Sequence, residues 1–218
     1  MKQNFIFDLD GTLVDSLPGI TAAVNSALPP AAGRLTDVRP YIGPPVRIIL
    51  KALTHTACER DLDEMERKFR ESYDSDAWHK TVAFAGAREL LECLREAQKR
   101  IFLVTNKPSQ PTAKILEALR LRPYFEDVLT PDSRTPPFSA KEQMLRELVR
   151  RYDLQTGQCL MIGDTADDLA AAAALQMEAV FVAHGYGAAR LSAAFPNSQI
   201  IPDLTMISTQ YVESGAVL

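Results

Sequence analysis

The chain has 218 residues, 46% of them hydrophobic and 24% charged, an ordinary globular composition that excludes disordered, collagen-like and low-complexity classes. Twenty-four Lys and Arg against 28 Asp and Glu leave a net charge of −4, so no global positive field gathers phosphate backbones and nucleic acid is not an expected partner. The length suits one domain or two small ones, able to bury roughly 70% of the unfolded surface without staples.

The first predicted element is a strand over residues 5–7, ending at Asp8. From about 16 to 85 the pattern is helical throughout. Helices are expected over 18–28 and 46–53, and a third places Leu62, Met65, Phe69 and Tyr73 on one face at spacings of three and four. Pro29-Pro30 and Gly43-Pro44-Pro45 break this stretch. Gly86 marks the return, followed by a helix over 87–97 and a strand over 101–104. Further strands are expected at 128–129, 160–162, 179–182 and 200–201. A helix carrying Lys141 in its first turn, with Ser139 as N-cap and Glu142 at N3, precedes the strand at 160–162. A helix entered at Thr165 follows that strand, and residues 170–174 give it an alanine-rich turn.

Apolar runs that alternate with helical patterns and lack period-two polar residues describe an α/β protein with a parallel, Rossmann-like sheet. A crossover needs about a dozen residues, so the long gap between the first two core strands is an insertion. We therefore expect a core domain of residues 1–15 and 86–218 and a small all-helical cap of 16–85, with hinges near 14–17 and 83–86. Cys58, Cys93 and Cys159 are odd in number and form no C-x-x-C pair, so reduced, buried thiols are expected. The N-terminal apolar stretch is broken by Asp8 and Asp10, which predicts neither signal peptide nor membrane span, and a cytoplasmic protein.

The chemistry lies at the strand ends. Asp8 and Asp10 are two apart, share a face in extended chain, and are followed by Gly11, which permits a tight turn. Two like charges at ~4 Å repel by about 4 kcal/mol at an effective dielectric of 20, which asks for a cation between them or a raised pKa on one. A polar turn with an N-cap is the plainer alternative for an isolated D-x-D. The second core strand ends in Thr105-Asn106-Lys107, and the fourth in Gly163-Asp164-Thr165 with Asp168 one turn on. Ligands of open parallel sheets sit beyond the carboxyl ends of the strands where strand order reverses. With core strands in the order 3-2-1-4-5, Asp8 and Asp10 fall between Thr105 and Asp164.

These residues resemble the haloacid dehalogenase-like hydrolase superfamily in its phosphatase branch, over essentially the whole chain. Asp8-x-Asp10-Gly11-Thr12-Leu13-Val14-Asp15-Ser16 looks like its first motif, Thr105-Asn106-Lys107 its second, Lys141 its third, and Gly163-Asp164-Thr165 with Asp168 its fourth. The helical insert matches the family's cap after the first motif, and Thr105-Asn106-Lys107-Pro108 with His184-Gly185-Tyr186-Gly187 most resembles phosphoglycolate phosphatases. The resemblance implies that the Asp8 carboxylate attacks phosphorus to form an aspartyl-phosphate and that Asp10 serves as general acid and then base. It implies that Mg²⁺ sits on oxygens of Asp8, Asp10 and Asp164, with Asp168 orienting its shell. Thr105 hydroxyl and the backbone N–H groups of Leu9 and Asn106 would hold the phosphoryl oxygens. Lys141 would neutralise the phosphoryl group and Asp8. Glu142 follows it where the family commonly has proline, and Lys107 is the substitute. Gly43 and Arg47 lie in the cap stretch that faces the site in relatives, and Arg47 could meet a substrate carboxylate.

Asp167 is assigned to the solvated helix surface. His55, His79 and His184 are assigned to surface or loop, and Trp78 with Phe84 to the place where cap meets core. The expected activity is Mg²⁺-dependent hydrolysis of a small phosphorylated metabolite, phosphoglycolate first, by a monomer or homodimer. Alternatives are a β-phosphoglucomutase-like phosphomutase and a catalytically silent binding module on the same fold.

Overall fold

The computed structural model describes residues 1–187 and 199–211; residues 188–198 and 212–218 of the expected core domain lie outside this description. Six strands form one parallel sheet: β1 (Asn4–Phe7), β4 (Arg100–Val104), β5 (Asp127–Leu129), β6 (Cys159–Gly163), β7 (Glu178–Val182) and β8 (Gln199–Ile201). The order is β5-β4-β1-β6-β7-β8. The fold is thus α/β and Rossmann-like, in the strand order expected, with the sixth core strand beside the fifth.

β1 is buried along its whole length, because helices cover both faces. Phe5 and Phe7 point to one face and pack with Leu90, Leu91 and Leu94 of α4 (Ala87–Glu96), with Ile115 and Leu116 of α5 (Ser109–Ala118), and with Ile207 of α8 (Thr205–Tyr211). Ile6 points to the other, against Leu145 and Leu148 of α6 (Lys141–Tyr152) and Ala171 and Ala172 of α7 (Ala166–Ala173). This alternation is the pleat of a strand buried on both sides.

Between β1 and α4 lies the insert: α1 (Leu17–Ala27), α2 (Val46–Thr54) and α3 (Glu59–Ser75), with short 3-10 turns at Pro30–Ala32, Arg39–Tyr41 and Ala77–Lys80. Its own apolar cluster includes Ile20, Val24, Leu50, Leu62, Met65 and Tyr73. The all-helical insert expected from the sequence is corrected at its two ends. β3 (Val82–Ala83) pairs antiparallel with β2 (Val14–Asp15), so a two-stranded ribbon carries the cap and occupies the stretches expected to be hinges. Trp78 packs against both the cap cluster and the core cluster. Phe84 stacks instead on His184, ring centroids 4.1 Å apart.

Two local expectations are corrected. Helix α6 starts at Lys141 after Ala140, without a side-chain cap. The Ser139 N–H donates to Gln143 Oε1 at 3.1 Å, and Glu142 pairs with Arg146 at 2.8 Å rather than reaching back. Of the cysteines, only Cys159 is fully buried; Cys93 is half-buried and Cys58 exposed.

Candidate active site

The site forms at the carboxyl ends of β1, β4 and β6. The Asp8 N–H donates to the Ile162 carbonyl at 2.9 Å, so sheet pairing carries on past β1 and holds the first carboxylate against the next strand. The chain then turns sharply. Leu9, fully buried, accepts the N–H groups of Thr12, Leu13 and Val14 on its carbonyl at 3.0–3.3 Å. Gly11 takes φ +90°, and a Cβ there would stand 2.2 Å from Asp164 Oδ2; only glycine fits this turn.

Lys141, 2% exposed, donates to Asp8 Oδ1 at 2.7 Å and to Asp168 Oδ1 at 2.5 Å. Lys107, also buried, donates to both oxygens of Asp10 at 2.9 and 2.8 Å, and its ammonium lies 4.6 Å from the Tyr73 ring of the cap. The two candidate lysines therefore divide the two aspartates between them. Burial disfavours charge on each, and the facing carboxylates outweigh it: Asp10 for Lys107, Asp168 and Asp8 for Lys141. Both pKa values lie above the ordinary lysine range.

Asp164 is fully buried. It accepts the Thr12 hydroxyl at 3.1 Å and the Tyr186 N–H at 2.7 Å. Asp168 caps α7 reciprocally: its Oδ2 accepts the Thr165 N–H at 3.0 Å and hydroxyl at 2.6 Å. One oxygen each of Asp8, Asp164 and Asp168 lie within 4.8 Å of one another. Burial pushes the Asp8 pKa up to about 7, with Lys141 pulling it down and Asp168 pushing it up. Asp164 is raised well above the usual carboxylate range, by burial first and then by Asp8 and Asp168.

The four buried or half-buried carboxylates of Asp8, Asp10, Asp164 and Asp168 face two ammonium groups. Such a cluster calls for a further cation, and its all-oxygen donors suit a hard divalent ion such as Mg²⁺.

Thr105 lines the cavity above Asp8, and its hydroxyl accepts the Lys107 N–H at 3.2 Å. The Asn106 amide donates to the Gly43 carbonyl of the cap at 3.1 Å and to Asp167 at 2.8 Å, so Asp167 is exposed yet engaged. Arg47 is not brought to the site. Its guanidinium is taken by Glu59, Asp63 and Glu66 at 2.5, 2.7 and 3.2 Å, because α3 presents those acids at spacings of three and four to the start of α2. None of the three histidines lines the cavity.

Tyr186 has no role among the residues expected from the sequence. Its hydroxyl accepts the Ser16 and Leu17 N–H groups at 2.8 and 3.1 Å and donates to Asp15 at 2.8 Å, while its own N–H holds Asp164. It therefore fixes the acid and the start of the cap together. Its neighbour Gly185 is the signal that could have found it: a Cβ there would lie 2.2 Å from Asp164 Cβ, so this loop must pack on the acid.

Residues 5–182 match the family model described as haloacid dehalogenase-like hydrolase. A phosphoglycolate phosphatase of Pseudomonas syringae pv. tomato is 32% identical over 94% of this chain and 78% of that protein. One of Nitrosospira multiformis is 31% identical over 91% of each. The crystal structure of a predicted phosphatase from Clostridium acetobutylicum superposes with a TM-score of 0.86 at 23% identity, covering 98% of this chain and 99% of that one. Paired aspartates after the first strand, a buried lysine on the first of them, acids after the fourth core strand and a helical insert between them are all present, and with these matches they put the chain in the haloacid dehalogenase-like hydrolase family, in its phosphoglycolate phosphatase-like branch.

Proposed function

We propose that this phosphatase hydrolyses a small phosphorylated metabolite in a Mg²⁺-dependent reaction through an aspartyl-phosphate on Asp8. The arrangement of Asp8 and Asp10, two residues apart and each on its own buried lysine, carries the reading. In the first half-reaction an Asp8 oxygen attacks phosphorus, the bond to the ester oxygen breaks, and Asp10 gives that oxygen its proton. In the second, Asp10 takes a proton from water, the water oxygen attacks phosphorus, and the bond to Asp8 breaks, releasing phosphate. Lys141 offsets charge on Asp8 and the phosphoryl group; Lys107 positions Asp10. Thr105 hydroxyl and the N–H groups of Leu9 and Asn106 would hold phosphoryl oxygens.

Asp8, Asp164 and the Asp10 carbonyl would hold the metal, with Asp168 orienting them because both its oxygens already accept bonds. A divalent ion there supplies the charge neutralisation that lets an anion approach a dianion. Among the described residues no helix is long and apolar enough to cross a membrane. The net charge of −4 disfavours nucleic acid as a partner, and the reading proposed is of a cytoplasmic protein, monomeric or a homodimer.

Phosphate release with and without Mg²⁺, starting with phosphoglycolate, tests the activity; sugar phosphates isomerised without free phosphate would turn the reading to a phosphomutase. Metal binding has its own readout. Asp8, raised to about 7, and Asp164, raised well above the usual carboxylate range, are harder to ionise folded than unfolded. Metal-free protein is therefore stabilised below the ordinary carboxylate pKa, and this contribution is lost as pH rises through 7. A cation favours the ionised forms. Mg²⁺ at a fixed concentration, about 100 times its Kd at pH ~8, should raise the melting temperature by about 5 °C or more at pH ~8 and by less at pH ~6, where its Kd is weaker. Equal shifts at both, or none, would count against the metal site. Arg47→Gln should leave kcat/KM for phosphoglycolate within about two-fold of wild type, since its partners are cap acids; a ten-fold rise in KM would restore it as a substrate ligand.

A further inference from the structure

Above the reaction centre the cavity opens to about 370 Å³, and among the described residues three cations line it: Lys107, Lys141 and Arg70. The two lysines are committed, each buried and bound to aspartates of the reaction centre. Arg70 differs from them. Its side chain is 44% exposed, against 6% for Lys107 and 2% for Lys141. It stands on α3 about one turn before Tyr73, whose ring lies 4.6 Å from the Lys107 ammonium, so the helix carries it close above the reaction centre. Its Nη2 donates to Glu66 Oε1 at 2.6 Å, a pair four residues apart on the helix surface. A guanidinium has five N–H donors, so this bond leaves others for a ligand. Such an exposed pair contributes little to the fold, and its loss would not strand Glu66, whose other oxygen accepts from Arg47 at 3.2 Å. Arg70 is thus the lining cation that a ligand can engage at small cost. Val46, Ile49 and Phe69 share the wall with it, and by excluding water they strengthen a charge pair formed there. Glu66 and Asp74 line the same side, so an anionic leaving group that missed Arg70 would meet like charge.

We infer that Arg70 is the specificity-determining residue of the cap: its guanidinium receives the carboxylate of a phosphorylated hydroxy acid, in competition with Glu66, while the phosphate lies at Asp8. The inference rests on the phosphatase reading and adds to it the residue that chooses the leaving group. Phosphoglycolate and ethyl phosphate share a two-carbon chain and differ at the carboxylate. Each variant is compared with wild type on the same ester, so the acidity of the leaving alcohol cancels. With Mg²⁺ present, Arg70→Gln should lower kcat/KM for phosphoglycolate by about ten-fold or more, mostly through KM, and leave that for ethyl phosphate within about two-fold. Arg70→Lys should keep part of the preference, as a point charge without the fork. Glu66→Gln removes the competing carboxylate and should lower KM for phosphoglycolate by about two-fold or more, a gain that damage to the cap would not produce; in the double variant with Arg70→Gln this gain should vanish. An equal fall for both esters, an unchanged kcat/KM for phosphoglycolate, or a wild-type protein that turns over ethyl phosphate faster than phosphoglycolate overturns this inference and leaves the phosphatase reading standing. Release of phosphate from neither ester nor from p-nitrophenyl phosphate overturns both.

Discussion

Asp8→Asn is expected to lower turnover by about 10⁴-fold or more while leaving the melting temperature at or above that of the wild type. The two halves of this result have separate causes. An amide oxygen is too weak a nucleophile to displace an alkoxide from phosphorus, so the covalent route closes. The fold loses little, because the amide oxygen can still accept from Lys141, and Lys141 keeps Asp168 as its second partner at 2.5 Å. Burial drives Asp8 up to about 7, so a neutral group of the same shape removes a strained charge from the interior. Phosphate release measures the first half and thermal melting the second. A third measurement isolates the step: acid-quenched wild-type protein, mixed with labelled ester, should carry phosphate on the chain, and the variant none. Phosphate release at the wild-type rate from the variant would refute the nucleophile.

The pattern of this site was written in local sequence wherever the strand-end rule applies. Asp8, Asp10, Thr105 and Asp164 follow apolar runs buried on both faces, so their convergence follows from strand order alone, and that order is the one observed. What stayed hidden depends on how one helix is seated on another. Lys107 and Lys141 were interchangeable in sequence because a long flexible side chain reaches in many directions; the seating of α6 on the sheet gives Asp8 to one and Asp10 to the other. Arg47 sits at a position from which it could face the site, but three acids of α3 lie closer. The capping signature at Ser139 was locally sound and yielded to a helix that begins one residue later, with Lys141 as its first residue and bound to two acids. The pairing of β3 with β2 spans two residues on each side, too short for any periodicity to register. Tyr186 acts through one hydroxyl and one N–H in a loop, with no pattern to announce it beyond the flanking glycines.

Lys141→Met is expected to lower kcat by about 10³-fold and, unlike the change at Asp8, to destabilise the protein. Lys141 is enclosed, 2% exposed, and its ammonium serves Asp8 and Asp168 at once. Methionine preserves much of the length and apolar stem but leaves two carboxylates facing each other and Asp164 without their cation. Removing one side of a buried ion pair costs about 3–5 kcal/mol, and a chain of this size shifts by about 2–4 °C for each kcal/mol, so a fall of roughly 10 °C in metal-free protein is the expected scale. Mg²⁺ should recover part of the melting temperature, because it answers the same excess of negative charge, without recovering kcat. The double variant Lys141→Met with Asp8→Asn should melt above Lys141→Met alone, since taking away one of the stranded carboxylates relieves the repulsion, and the cycle reports the coupling directly. Lys107→Met provides the contrast: its partner is Asp10, so it should slow the reaction, and adding Asp8→Asn to it should shift the melting temperature by no more than Asp8→Asn shifts that of the wild type. If Lys141→Met kept kcat within about ten-fold of wild type and melted unchanged, the charge on Asp8 would have to be balanced by another group, and Lys107 would be the one to test.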